Sequence, residues 1–125
     1  MTACPAGWTL PTLSQWEALF AEANGEIGEL ISDAWFNGNR MWEFYPVLKT
    51  PQNLGFAALS SGYIQLLGSD RKYQGLYSYA GFWTATESTE EPNAAIFVYL
   101  NGNQRRVFQH YADKKSMALS VRCVR

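Results

Sequence analysis

Histidine and cysteine are scarce in this chain, which limits the chemistry that it can carry. Its 125 residues include one histidine and two cysteines. A zinc site needs about four Cys or His ligands, so the sequence predicts none. It also lacks a phosphate-binding glycine motif and a nucleophile motif that would give His110 a catalytic role. We therefore expect a protein that is not an enzyme, with no catalytic residue and no cofactor.

Charge and long apolar runs are also limited. Charged residues make up 17% of the chain, and the formal net charge is −1. Binding to nucleic acid needs a basic face, so neither DNA nor RNA is an expected partner. No apolar run approaches the ~20 residues of a membrane-spanning helix, so we expect no membrane insertion. No repeat or linker divides the sequence, which predicts one domain over residues 1–125.

The two cysteines, Cys4 and Cys123, stand near opposite ends of the chain. Such a pair suits a terminal disulfide in an oxidising compartment, although two unrelated reduced thiols also fit the count. Residues 1–25 lack the basic and then apolar pattern of a signal peptide. This leaves either an intracellular protein or a mature domain of a longer exported chain. The cysteines favour the second, so we expect an extracellular or cell-surface location.

Apolar periodicity predicts two helices in the first third of the chain. Thr12 with Gln15 three residues later is a capping-box pattern, which places a helix start at Pro11–Thr12. An apolar stripe at helical spacing follows: Leu13, Trp16, Leu19, Phe20 and Ala23. A second stripe predicts a second, shorter helix, although Gly28 lies within it: Ile27, Leu30, Ile31, Ala34 and Trp35.

Short strands are predicted after these helices. The clearest signal is a hairpin in which two apolar-rich runs, 94–100 and 104–111, flank Asn101-Gly102-Asn103. Further strands are predicted at 63–67, 81–86 and 118–124. The aromatic segments 37–54 and 71–80 show no sustained period and are interpreted as loops. Helices followed by short antiparallel strands predict an α+β domain.

Four segments of the sequence match motifs of a known family, in the same order. Residues 4–16 read C-P-A-G-W-T-L-P-T-L-S-Q-W, against C-P-x-G-W-x-L-P-T-x-x-E-W. Residues 55–63 read G-F-A-A-L-S-S-G-Y, against G-F-S-A-L-P-A-G-Y, and residues 83–88 read W-T-A-T-E-S, against W-S-S-T-E-S. The closing S-V-R-C-V stands unchanged at residues 120–124. The chain thus resembles the Fibrobacter succinogenes major paralogous domain family of bacterial surface and secreted modules.

The resemblance implies a C-type-lectin-like fold, related to the formylglycine-generating-enzyme group. In that fold the termini run side by side, which suits a bond between Cys4 and Cys123. The formylglycine enzymes work through an additional reactive cysteine pair, so their activity is not expected here. Binding or adhesion is the role that the resemblance implies.

Aromatic and arginine side chains in the predicted loops and hairpin are the candidate ligand contacts. A rigid scaffold commonly presents its functional residues on loops, and aromatic rings and arginine are enriched in binding patches. The candidates are Trp42, Tyr45, Tyr73, Tyr77, Tyr79, Arg105 and Arg106. Four other tryptophans are assigned to the core: Trp8, Trp16, Trp35 and Trp83. The main hypothesis is a non-enzymatic recognition or adhesion module whose partner is a glycan or a surface protein.

Two alternative roles remain open. The chain could be a structural domain of a larger surface or fibre protein with no ligand of its own. It could also be a calcium-dependent sugar-binding lectin, because Glu91-Pro92-Asn93 is the triplet that many such lectins use. Carboxylate and amide oxygens suit Ca²⁺, and Glu87 and Glu90 could add ligands. The companion W-N-D motif is missing, and we prefer to interpret the triplet as a plain polar turn.

Overall fold

A computed structural model describes residues 3–24, 26–42, 56–102 and 106–125, with the backbone alone at Arg106. Helix α1 spans Leu13–Glu22. The Thr12 hydroxyl accepts the backbone N–H of Gln15 at 3.2 Å, and the Gln15 side-chain carbonyl accepts the backbone N–H of Thr12 at 2.9 Å. These reciprocal bonds satisfy two N–H groups that a helix start leaves without partners, and they confirm the predicted helix.

The predicted second helix is wrong. Only Ile27–Glu29 forms a single 3-10 turn. The carbonyl of Leu30 then accepts the N–H of Ala58 at 2.8 Å, and the N–H of Ser32 donates to the carbonyl of Ala58 at 2.8 Å. The backbone beyond Leu30 therefore bonds to a distant segment instead of continuing a helix.

Eight strands occur in the described residues, and six of them form one mixed sheet. They are β1 (Trp35–Phe36), β2 (Asn39–Arg40), β3 (Ser61–Leu67), β4 (Asp70–Leu76), β5 (Tyr79–Glu87), β6 (Ala94–Asn101), β7 (Arg106–Asp113) and β8 (Met117–Ala118). The sheet order is β4-β3-β5-β6-β7, with β8 paired to β3. A parallel pairing joins Gly62 of β3 to Ala80 of β5. The sheet curls into half a barrel, and β1 and β2 form a separate small hairpin.

The strand predictions are partly confirmed. Strands β3, β5 and the β6–β7 hairpin lie where the sequence predicts them. The loop predicted at 71–80 is wrong, because Asp70–Leu76 forms edge strand β4. The long last strand predicted at 118–124 is reduced to β8, followed by isolated bridges at Ser120 and Val124.

The core lies between α1 and one face of the sheet. Trp16 of α1 packs against Phe82 of β5, with ring centroids 5.1 Å apart, and Val98 and Leu100 of β6 join the same cluster. The core assignment of Trp16 is therefore confirmed. Trp8 and Trp35 are exposed, so their assignment to the core is wrong. Trp83 is half-buried.

The two ends of the chain lie side by side. Cys4 and Cys123 form a disulfide with Cα atoms 5.9 Å apart, which confirms the predicted terminal bond. Thr9 and Val124 also exchange two backbone hydrogen bonds, of 2.7 and 2.8 Å.

The molecule is mostly β and contains one α-helix within the described residues. The predicted α+β order, with two N-terminal helices before the strands, is therefore wrong. The C-type-lectin-like fold that the family resemblance implied is not confirmed. None of the described helices is long and apolar enough to cross a bilayer.

Candidate functional site

The sheet face that points away from α1 carries a row of aromatic rings. Side chains alternate between the two faces of a strand. In β6, Val98 and Leu100 face the core, so Phe97 and Tyr99 point to the opposite face. The register pairs Tyr99 with Phe108 of β7, and Phe97 with His110. The same face therefore extends across β5, β6 and β7.

The central row is a cross-strand stack of three tyrosines and one phenylalanine. Ring centroids lie 4.8 Å apart for Tyr63–Tyr79, 4.9 Å for Tyr79–Tyr99 and 4.9 Å for Tyr99–Phe108. The last two pairs are close to parallel, at 21° and 12°. Because these rings cover one another's faces, the tyrosines offer a ligand their outer edges and hydroxyl groups. Tyr79 is thus a source of hydrogen bonds rather than a flat stacking surface.

Two glycines make room for Tyr79. Gly81 lies opposite Tyr99 in the register, and a Cβ atom there would stand 2.9 Å from Cε1 of Tyr79. A Cβ on Gly75, whose φ is +79°, would stand 2.7 Å from Cβ of Tyr79. The ring of Tyr79 therefore occupies space that any larger residue at these two positions would need.

A second aromatic row runs beside the first. Phe97 stacks on His110 at 6.2 Å and 9°, and meets the edge of Trp83 at 6.0 Å. Nδ1 of His110 accepts the backbone N–H of Tyr111 at 2.8 Å. Because Nδ1 accepts this hydrogen bond, we assign the proton of the neutral His110 ring to Nε2.

Amide side chains flank the tyrosine row. The Tyr63 hydroxyl donates to Oε1 of Gln74 at 3.2 Å, and Nε2 of Gln74 donates to Oε1 of Gln65 at 2.9 Å.

Burial raises the pKa of the Tyr79 hydroxyl well above its ordinary value, and the adjacent Tyr99 and Tyr63 raise it further. The Tyr79 hydroxyl therefore keeps its proton and remains a hydrogen-bond donor.

These groups surround an open cleft of about 420 Å³, which we call the tyrosine cleft. Its volume falls in the ordinary range for small-ligand sites. It is lined by Tyr63, Gln74, Gly75, Ser78, Tyr79, Phe97, Tyr99, Asn101, His110 and Met117. None of these ten residues is an Asp, Glu, Lys or Arg.

A larger groove, of about 740 Å³, runs between the β3–β4 hairpin and residues 118–120. It shares Tyr63, Gln74 and Gly75 with the tyrosine cleft, but adds mainly aliphatic and small residues together with Tyr73. We favour the smaller cleft as the site, because hydroxyls, amides and an imidazole converge there. Specificity for a small ligand comes from such convergent polar groups rather than from volume.

The structure brings only part of the predicted ligand set to this cleft. Tyr79 lies at its centre. Trp42 is buried in the core, where its indole N–H donates to the carbonyl of Ala58 at 2.9 Å. The Tyr77 hydroxyl donates to the carbonyl of Phe36 at 3.3 Å, outside the cleft. The backbone of Arg106 lies opposite Asn101, and the predicted contacts Tyr45 and Arg105 fall outside the described residues.

Sequence reasoning missed Tyr63, Gln74 and Tyr99 as site residues. A signal for Tyr99 was available, because the predicted hairpin already placed it on the face opposite Val98 and Leu100. No comparable signal exists for Gln74, since the sequence pattern predicts a loop where β4 forms.

The candidate calcium ligands lie at the end of β5 and in the turn that precedes β6. Glu87 is paired with Lys114, with Oε1 and Nζ 2.6 Å apart. Glu91 and Asn93 lie in the exposed turn before β6. Throughout the part of the chain that the structure describes, no group of three or more His, Cys, Asp or Glu residues is placed to hold a metal ion.

Comparison with known proteins identifies the family. No curated protein and no solved structure matches the chain. The model of the Fibrobacter succinogenes major domain matches residues 1–125. Because the match spans the whole sequence, the chain is a member of the Fibrobacter succinogenes major domain family.

Proposed function

We propose that this protein is a non-enzymatic recognition module that binds a glycan in the tyrosine cleft. The observation that carries the proposal is the row of three tyrosine hydroxyls beside the Gln74–Gln65 amide pair on an open sheet face. Sugar hydroxyls both donate and accept hydrogen bonds, and so do phenol and amide groups. A lining without carboxylates or ammonium groups suits an uncharged polar ligand.

The cleft is held in shape before a ligand arrives. Tyr79 is fixed between the rings of Tyr63 and Tyr99, in the space left by Gly75 and Gly81. Side chains that are already ordered lose little conformational freedom on binding, which favours affinity.

An extracellular or cell-surface location fits this role. The Cys4–Cys123 disulfide supports it, because such bonds persist in oxidising compartments and are rare in the cytosol. Secreted and surface modules meet glycans directly.

The test compares Tyr79→Phe with Tyr73→Phe. A glycan array on the unmodified protein identifies a ligand, and calorimetry then measures the Kd of each variant. Tyr79→Phe removes one hydroxyl from the cleft and should weaken binding roughly two- to tenfold, the effect of one hydrogen bond. Tyr73 lies outside the cleft and is 72% exposed, so Tyr73→Phe should bind as the wild type does. A loss confined to Tyr73→Phe would move the site to the larger groove.

The alternative role is a structural domain without its own ligand. The terminal disulfide favours it, because a domain whose two ends meet can be inserted into a long chain without changing that chain's path. Absence of binding to every glycan on the array by the folded protein would favour this role over recognition.

A further inference from the structure

The β1–β2 hairpin exposes two large aromatic side chains. Trp35 is 68% exposed and Phe36 is 51% exposed. Adjacent residues of a strand point to opposite faces, so the hairpin presents one ring on each side. Neither ring belongs to the aromatic stack of the tyrosine cleft.

The hairpin holds these rings in a defined position. Asn37 and Gly38 both have positive φ, of 51° and 78°, as the type I′ turn of a two-residue hairpin requires. The strand pairs are Trp35 with Arg40 and Phe36 with Asn39. At its base, the N–H of Met41 donates to the carbonyl of Ala34 at 2.9 Å.

The hairpin is linked to the tyrosine cleft through Tyr77, which lies outside the cleft but directly precedes a cleft residue. The Tyr77 hydroxyl donates to the carbonyl of Phe36, and the next residue, Ser78, lines the cleft. The Ser78 carbonyl accepts the N–H of Gly102 at 2.8 Å. Gly102 lies against the ring of Trp42, so that a Cβ there would be 3.1 Å from its Cε3. The buried Trp42, which follows the hairpin directly, therefore connects the base of the hairpin to this end of the cleft.

We propose that Trp35 is a stacking subsite for the same ligand, which is therefore an oligosaccharide that extends from the tyrosine cleft to the hairpin. This inference rests on the proposed function. The two surfaces supply complementary chemistry: the cleft offers hydroxyls and amides while its ring faces cover one another, and Trp35 offers an exposed indole face. The C–H face of a pyranose packs on such a ring and buries apolar surface. Asn37 and Asn39 of the same hairpin add amides that sugar hydroxyls can bind.

The test measures Kd against ligand length. The ligands run from a disaccharide to about a hexasaccharide of the glycan that the array identifies, so that the shortest fit within the cleft and the longest extend beyond it. For the wild type, affinity should rise once the ligand is long enough to reach Trp35. Trp35→Ala should remove that rise, a loss of about five- to tenfold for long ligands, and leave short ligands unaffected. Trp35→Tyr should restore part of it. Phe36→Ala is the matched control on the opposite side of the hairpin and should bind as the wild type does.

The outcomes separate this inference from the proposed function. If Trp35→Ala binds long ligands as well as the wild type does, the stacking subsite is excluded while the cleft stands. An equal loss for short and long ligands would also overturn it, because that pattern places Trp35 within the cleft or reports misfolding, and near-ultraviolet circular dichroism distinguishes the two. If neither short nor long glycans bind to the wild type, the proposed function itself fails.

Discussion

Glu87 and Lys114 form an exposed ion pair between β5 and the turn after β7. Their side chains are 74% and 48% exposed. The hydrogen bond from Lys114, and then its positive charge, lower the pKa of Glu87 below the ordinary value. Ion pairs at such exposure contribute little to folding and weaken with salt, so the pKa is the better reporter of this contact.

We predict that Lys114→Met raises the pKa of Glu87 toward its ordinary value, as followed by carboxyl NMR during an acid titration. The folded pKa lies below the unfolded one, so the pair stabilises the fold above the unfolded pKa. That contribution is lost as pH falls through the folded pKa. Lys115→Met is the matched control and should leave Glu87 unchanged. An unaltered titration in Lys114→Met would show that the pair is not formed in solution.

For single residues, the sequence does not predict which aromatic side chains are buried. Trp35 and Trp42 are near neighbours in the sequence, yet Trp42 is buried and Trp35 is exposed. Trp42 finds a carbonyl acceptor at Ala58 and space beside Gly102, both far along the chain. Trp35 lies on a two-residue strand that projects from the fold. Such long-range partners leave no trace in local periodicity.

Among the helices and strands, α1 is predicted most accurately, because the residues that indicate it are close together in the sequence. Thr12 and Gln15 are three residues apart, and their reciprocal bonds form within one turn. The β6–β7 hairpin was also predictable, since its strands are neighbours in sequence. In both cases the residues that specify the element are the residues that compose it.

We predict that Thr12→Ala lowers the free energy of unfolding by about 0.5–2 kcal/mol, the usual cost of removing an N-cap. Urea unfolding followed by circular dichroism measures it. Ser14→Ala, at an exposed position in the first turn, is the control, and should change stability by less. Equal effects of the two substitutions would mean that the capping box does not stabilise α1.

Two of the failed predictions, the second helix and the loop at 71–80, have a physical cause in common. After Leu30 the backbone bonds to Ala58, so a distant segment replaces the helix that the apolar stripe predicts. Edge strand β4 is exposed along most of its length and contains Gly75 with positive φ. It therefore lacks the alternation of a half-buried strand. In both cases tertiary pairing decides the structure against the local pattern.

The disulfide acts on the whole molecule, since Cys4 and Cys123 are 119 positions apart. Closing a loop of this size removes much of the freedom of the unfolded chain. The chain-entropy model gives about 4–5 kcal/mol for loops of roughly this length. This bond was predictable from the placement of two cysteines, whereas the curl of the sheet was not. The curl depends on pairings such as Gly62 with Ala80, which no local pattern specifies.

We predict that the Cys4→Ser/Cys123→Ser double variant loses about 4–5 kcal/mol of unfolding free energy relative to the oxidised protein, measured in urea. The wild type under reducing conditions should behave like the double variant, and reductant should not affect the double variant further. A variant as stable as the oxidised wild type would contradict a stabilising role for the bond.

The sulfur bridge also determines how the module responds to mechanical load. Tension applied to the chain before Cys4 and after Cys123 passes through one covalent link whose anchoring Cα atoms are 5.9 Å apart. The residues between them, including the tyrosine cleft, carry none of that force. For the glycan site that we propose, this means that the tyrosine cleft keeps its shape while the polypeptide on either side of the disulfide is under tension.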